Sequence, residues 1–276
     1  MKDLLEIYIL DLQVRGLSQI TIKNKNNRLT KFCNYISTLD RLTKPNINKY
    51  IISLNVKDST KKEYTKTISA FINFLYNEEY IDKPIIIKPY KCDKVIQPNL
   101  SSSDVKKVLD YLKKNKSFIG QRNYTIIAIM VDSGIRVSEL TSLNVSDIDN
   151  VIKVKCKRKE RIVPISAKLK LQLKKYLLIR AEYSKGDEAL FISRSGNRLK
   201  IITIQKIIKN IADTLNIELH AHLFRHYYIQ SLLKQGVSIY YISKVVGHEN
   251  LSTTETYLRS MNEKDIIDNI KNFTNL

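Results

Sequence analysis

The 276-residue chain has no tryptophan, and glycine (7), proline (5) and cysteine (3) are scarce. Long stretches of Ile, Leu, Lys and Asn with so few glycines point to a mainly helical chain. The three cysteines, Cys33, Cys92 and Cys156, are widely spaced. They make neither a disulfide framework nor a zinc spacing, and they suit a reducing cytoplasm. Long apolar runs are also missing: the longest, 126–131, has six residues. That is far short of a bilayer span. Asp3 and Glu6 break the one N-terminal stretch that resembles a signal peptide, so secretion is not expected. Acidic residues are outnumbered, 27 Asp+Glu against 47 Lys+Arg. At 43% hydrophobic and 27% charged the chain is not a disordered tail, and its length allows one large domain or two ordinary ones.

A net charge of +20 has to lie mostly on the surface, where it favours polyanionic partners such as DNA, RNA or an acidic membrane face. The plainer explanation is a solvated basic surface left by a Lys/Asn/Ile-rich genome. Residues 1–88 carry a surplus of +6 and the remainder +14.

Pro84, Pro89 and Pro98 fall within fifteen residues and make that stretch hard to form as a helix. The expected division is therefore 1–85, a linker over 86–100, and 101–276. Four helices are expected before the linker. The first covers 1–14 and ends near Gly16. The second is capped by Ser18 and carries Ile22, Leu29, Phe32 and Ile36 as its stripe. A short third helix follows Thr43-Lys44-Pro45, and a fourth opens at Ser59 with Tyr64, Ile68, Phe71 and Leu75. Beyond the linker, Ser103 is expected to cap a helix, and a second covers 123–132. The 151–165 stretch alternates, with Ile152, Val154 and Cys156 opposite Lys153, Lys155 and Lys157. With a turn at 158–160 it makes a basic β-hairpin holding six Lys/Arg in residues 153–161. Helices follow at 167–182, 201–215, 223–235 and 239–246. A short amphipathic tail helix, about 263–276, carries Ile266, Ile267, Ile270 and Phe273.

Four clusters hold polar residues of unusual placement. In Ser133-Gly134-Ile135-Arg136-Val137-Ser138-Glu139-Leu140, Gly134 allows a tight turn and Arg136 starts a helix with Glu139 one turn later. A guanidinium at a helix N-terminus is electrostatically unfavourable unless an anion is near, although alone this reads as a surface ion pair. The hairpin is the second cluster. The third, His220-Ala221-His222-Leu223-Phe224-Arg225-His226, spaces two histidines four apart, but Leu223 stands where a zinc protease has its glutamate. No metal site is expected. The fourth is Gly247-His248-Glu249-Asn250-Leu251-Ser252-Thr253-Thr254-Glu255-Thr256-Tyr257, where Gly247 ends one helix and the Ser/Thr run starts another.

In this order, Arg, Lys, His-x-x-Arg, His and Tyr, with Tyr257 nine residues after His248, closely resemble the tyrosine recombinase (phage integrase) family. The resemblance extends over essentially the whole chain. Its two-domain layout is most similar to the Xer branch and to compact integrases. It implies a helical core-DNA-binding (SAM-like) domain at 1–85. It also implies a mixed α/β catalytic domain at 101–276, the two closing as a C-shaped clamp on duplex DNA. It further implies a homo-tetramer on two synapsed sites, a monomer when free, and a tail helix docking on a neighbouring protomer. An accessory protein is left open.

The residue roles follow from the same resemblance. Tyr257 is the nucleophile, and Arg136 and Arg225 hold the phosphate bidentately, as a planar guanidinium can and an ammonium cannot. His222 is general acid/base for the tyrosine, with an ordinary pKa near 6.5 suited to that task, and His248 hydrogen-bonds the phosphate. A hairpin lysine protonates the leaving 5′ oxygen. The common Xer hairpin, Gly-Lys-Gly-Asn-Lys-Glu-Arg, is here Cys156-Lys157-Arg158-Lys159-Glu160-Arg161, one residue shorter and without glycine. Lys157 is the expected acid, with Lys155 the runner-up on the same strand face. Glu139 orients its neighbours, His220 and His226 are structural, and Lys153, Lys155, Arg158, Lys159 and Arg161 contact DNA. Tyr227, Tyr228, Tyr240 and Tyr241 lie at the wrong distance from His248, and Tyr227-Tyr228 replace smaller residues usual in the family. Exchanging one phosphodiester for another keeps the bond energy, so neither ATP nor a metal is expected. A type IB topoisomerase shares the chemistry. A non-catalytic DNA-binding module or an RNA-binding protein shares only the charge.

Overall fold

The computed structural model describes residues 1–92, 99–156, 159–248 and 254–255, with the backbone alone at 156 and 159. Two compact units, Met1–Ile96 and Gln97–Leu276, each enclose cores of their own.

The first unit is helical: α1 (Lys2–Val14), α2 (Gln19–Ile36), α3 (Lys44–Ser53) and α4 (Asp58–Asn77). Local chemistry sets the starts. The Ser18 hydroxyl accepts the Thr21 N–H and the Thr43 hydroxyl that of Asn46, with proline in the first turn of α3. The expected start of α4 at Ser59 is corrected to Asp58, whose carboxylate lies in the first turn, next to the positive end of the helix dipole. Ile22, Leu29, Phe32 and Ile36 are buried in one stripe, joined by Cys33, whose thiol burial pushes up to about 11. Tyr8 packs between Phe71 and Phe74, with ring centroids at 5.2 and 5.0 Å.

The second unit contains α5 (Ser102–Lys113), α6 (Phe118–Ser133), α7 (Val137–Ser142) and a 3-10 turn (Val145–Asp147). The antiparallel strands β1 (Val151–Cys156) and β2 (Lys159–Pro164) follow, then α8 (Ala167–Ala181), α9 (Ile201–Leu215), α10 (Ala221–Lys234) and α11 (Ile239–Val246). The apolar α6 packs against α5, α8 and α10, burying Ile126, Ile127, Ile129 and Met130. Three boundaries differ from expectation. Ser101, not Ser103, caps α5, because only Ser101 has an acid three residues on, and the Ser101 and Asp104 side chains each accept the other's backbone N–H. α6 starts at Phe118, five residues early, capped by Ser117, and Phe118 stacks on Tyr183 at 4.1 Å. α10 starts at Ala221 rather than 223, with His220 at its N-cap.

Cys156 pairs with Lys159 in the hairpin, so the strand has resumed by Lys159, inside the stretch 158–160 expected to be turn. Ile152, Val154 and Val163 face the core, while Lys153, Lys155 and Ile162 are exposed. Between α8 and α9 the chain is held by two buried cations. Arg180 donates to the carbonyls of Asp187, Ala189 and Leu190, and Arg122 to that of Ile192. In a helical sequence such arginines read as surface charges, so this tie has no sequence signal. No described helix is long and apolar enough to cross a membrane.

Candidate active site

Gly134 ends α6 in the left-handed region (φ 57°), where glycine carries no steric cost, and the chain turns through buried Ile135 into α7. Arg136 is the N-cap of α7. Its backbone N–H donates to Glu139 Oε2 at 2.9 Å and its Nη1 to Oε1 at 3.1 Å. Glu139 is only 5% exposed, so this is not the surface ion pair that spacing alone suggests. Burial would raise its carboxyl, but hydrogen bonds from Arg161 and from the Arg136 backbone, with the charges of both arginines, hold it below the usual carboxylate range.

Three arginines converge on the end of α11. Arg161 Nε donates to Val245 O at 2.8 Å, Arg225 Nη2 to Val246 O at 2.6 Å, and Arg136 Nη2 to Gly247 O at 3.1 Å. These successive carbonyls carry the negative end of the helix dipole, where cations are favoured. Arg225, buried on α10, also donates Nη1 to Gly134 O at 2.8 Å, locking α10 to the turn ahead of Arg136.

Gly247 closes α11 in the left-handed region (φ 68°), and the His248 N–H returns to Ser243 O at 3.0 Å. The next side chain is His248, whose Nδ1 lies 2.7 Å from the hydroxyl of fully buried Thr254. Burial first, then the charges of Arg225, Arg136 and Arg161, push the His248 imidazole down to about 4. His222, in the first turn of α10, is also lowered, by burial and then by His220, Arg225 and Arg136. The ordinary value expected for His222 is thus corrected downward in the chain without DNA, which favours the neutral ring. The half-buried His226 is lowered too, chiefly by burial.

The hairpin cations divide. Lys153 and Lys155 are exposed, with Lys155 Nζ 3.2 Å from Asp147, which is itself buried. Arg161, expected with them to face DNA, is turned inward at 13% exposure, its Nη1 and Nη2 each 2.8 Å from a Glu139 oxygen. Its place opposite Val154 puts it on the core face of the hairpin. Lys157, Arg158 and Tyr257 lie outside the described residues, as does the tail, and of Lys159 only the backbone is described. Thr254 and Glu255 are helical.

Tyr228 closes over Gly134, where an added Cβ would collide with its ring. Tyr240 and Tyr241 are exposed on α11. Residue types alone did not reveal Thr254 beside His248. The fold brings it there. Among the described residues no group of three or more His, Cys, Asp or Glu gathers as metal ligands do.

Residues 98–264 match the phage integrase family. The chain is 30% identical over 261 residues to the tyrosine recombinase XerC of Thermodesulfovibrio yellowstonii, covering 88% of this chain and 86% of that one. It is also 30% identical over 268 residues to XerD of Oceanobacillus iheyensis, covering 88% of each. The fold is shared with the Tn1549 transposon integrase in complex with a circular intermediate DNA, with TM-score 0.81, 16% identity, and 98% and 99% of the two chains covered. It is shared too with the XerH recombinase in its post-cleavage complex with a palindromic difH substrate, with TM-score 0.77, 21% identity, and 91% and 79% covered. The ordered boxes, the arginine-lined end of α11 and the extent of these matches place the chain in the phage integrase family of tyrosine recombinases.

Proposed function

We propose that this site-specific tyrosine recombinase cuts and rejoins duplex DNA through Tyr257. The tyrosine oxygen bonds to phosphorus, the 5′ oxygen leaves, and the DNA is held as a 3′-phosphotyrosyl ester beside a free 5′ hydroxyl. Attack by the 5′ hydroxyl of a second duplex reverses the step and exchanges strands. The observation that carries this reading is the meeting of Arg136, Arg225 and His248 at the end of α11.

The two guanidiniums, held in place by carbonyls, bind the non-bridging oxygens, where charge develops. His222, its neutral ring favoured, takes the tyrosine proton. His248 donates from Nε2 while Thr254 occupies Nδ1. A neutral ring can do this only as the Nε2–H tautomer, with the Thr254 hydroxyl as donor. Lys157 supplies the proton for the 5′ oxygen, and the ion pair of Lys155 with Asp147 favours this choice over Lys155.

The 1–85 helical unit and the 101–276 catalytic unit, joined by 86–100, grip duplex DNA, with Lys153, Lys155, Arg158 and Lys159 on its phosphates. The active species is a homo-tetramer on two synapsed sites, formed from monomers by the 263–276 tail docking in trans, and the work is done in the cytoplasm. The physiological role is Xer-like dimer resolution or integration and excision of a mobile element.

The test begins with DNA trapped on the protein in cells of the source genome, which supplies the target sequence. A supercoiled plasmid carrying two copies of that sequence is then treated with the purified protein. Products with exchanged partners are expected. Relaxation without exchange would make the protein a topoisomerase, and binding without breakage a non-catalytic module.

A further inference from the structure

Glu139 is surrounded more completely than a carboxylate that merely orients one arginine needs to be. Four N–H groups meet its two oxygens: Arg136 Nη1 (3.1 Å) and Arg161 Nη1 (2.8 Å) at Oε1, the Arg136 backbone (2.9 Å) and Arg161 Nη2 (2.8 Å) at Oε2. The shorter side-chain contacts belong to Arg161, and so does the deeper position: its side chain is 13% exposed and that of Arg136 34%. All three nitrogens of Arg161 donate within the protein, the third to Val245 O. This is the bidentate, pre-organised pairing of which Arg alone is capable. The backbone leaves room for it, since a Cβ on Gly247 would lie 3.1 Å from Arg161 Nη1.

The charges make sense of the arrangement. A buried Glu139 paired only with Arg136 would cancel the positive charge that Arg136 brings to a phosphate. With Arg161 present, the carboxylate has a cation of its own. Arg136 then keeps its positive charge facing a phosphorus centre whose five-coordinate transition state carries two negative ones. We infer that Arg161 is a positioning residue: it neutralises and fixes Glu139, so that Arg136 is aimed at the scissile phosphate with its charge uncancelled. This rests on the recombinase reading above and assigns Arg161 no contact with DNA.

The experiment uses the full chain and a nicked duplex carrying the trapped target sequence, comparing wild type, Arg161→Gln, Arg161→Lys, Glu139→Gln and Glu139→Gln/Arg161→Gln. Single-turnover cleavage at saturating DNA and DNA affinity against salt are measured. Arg161→Gln is expected to cleave about 100-fold more slowly, the scale of a displaced catalytic group. Its affinity and the slope of affinity with salt should match wild type. Arg161→Lys keeps the charge and stays within about tenfold, since one charge-assisted bond of about 1.4 kcal/mol corresponds to a factor of ten. The double variant is expected to cleave about tenfold faster than Arg161→Gln alone, because removing the carboxylate removes the need for its neutraliser.

A double variant no faster than Arg161→Gln would overturn the inference and leave Arg161 a packing residue. Weaker binding with a salt slope lower by about 0.9 and an unchanged saturated rate would make it a phosphate contact. If Arg161→Gln does not fold, Arg161→Lys decides: a folded Lys variant slowed 100-fold overturns the proposal. Wild type that cleaves no DNA would defeat the recombinase reading itself, whereas wild type and Arg161→Gln cleaving alike would defeat only this inference.

Discussion

Gly134→Ala probes the hinge between the core and the site, because two independent costs fall on one methyl group. At φ 57° an L-residue is in the left-handed region, a cost of about 1 kcal/mol. The new Cβ would also collide with Tyr228 Cδ1 and sit 3.0 Å from Cγ and 3.2 Å from Cβ. These are the near atoms of a buried ring, so relief requires α10 to move rather than a side-chain tip to swing. Overpacking of this kind costs about 1–3 kcal/mol, which brings the total to about 2–4 kcal/mol. Gly134 O also accepts a hydrogen bond from Arg225, so the strain reaches the site and should slow cleavage. Urea unfolding of the wild type, Gly134→Ala, Tyr228→Ala and the double variant separates the two costs. Tyr228→Ala alone should cost about 3–5 kcal/mol. In its background Gly134→Ala should cost only the backbone term, about 1 kcal/mol. An equal cost in both backgrounds would refute the steric part.

Other outcomes follow from the same geometry. His248 is depressed to about 4 in the folded chain and lies near 6.5 when unfolded, so the unfolded state binds the proton first. Stability present above pH 6.5 is therefore lost as pH falls toward 4, on the order of 1–2 kcal/mol from this ring after solvent screening. His248→Gln should lose less stability than wild type between pH 7 and 4.5 by urea midpoint, and an equal loss would contradict the assignment. Thr254→Val removes the partner of Nδ1 and should slow cleavage about tenfold, the worth of one buried hydrogen bond, with Thr254→Ser close to wild type. Ring nitrogen NMR shifts of His248 that stay the same in the Val variant would count against it. Lys153→Ala should lower the salt slope of DNA affinity by about 0.9 with little effect on the saturated cleavage rate, and an unchanged slope would take Lys153 off the phosphate backbone.

Much of the fold was legible because its helices follow local rules. The stripes of α2 and α4 and the caps at Ser18 and Thr43 needed only spacing and side-chain chemistry. Errors arose where local signals compete. Three consecutive serines, 101–103, stand at the start of α5, and only the acid three residues after Ser101 selects among them. The turn of the hairpin is set by cross-strand register, which alternation alone leaves free by a residue. At the site, the order of the boxes singled out Arg136, Arg225, His222 and His248, but not the direction in which a hairpin arginine points. Arg161 sits among six basic residues and looks like its neighbours, and only its pairing with Val154 shows that it faces inward. The histidine shifts were hidden for a similar reason. They come from burial and from arginines that the chain brings from positions as distant as Arg136.

The most direct test of the central claim is the bond between protein and DNA. The protein is isolated under denaturing conditions from cells carrying the source genome, the attached DNA is digested, and the peptide containing Tyr257 is weighed. A nucleotide mass on that peptide, absent in Tyr257→Phe, is the predicted result. An adduct on another tyrosine, or none under conditions in which the protein binds DNA, would contradict it.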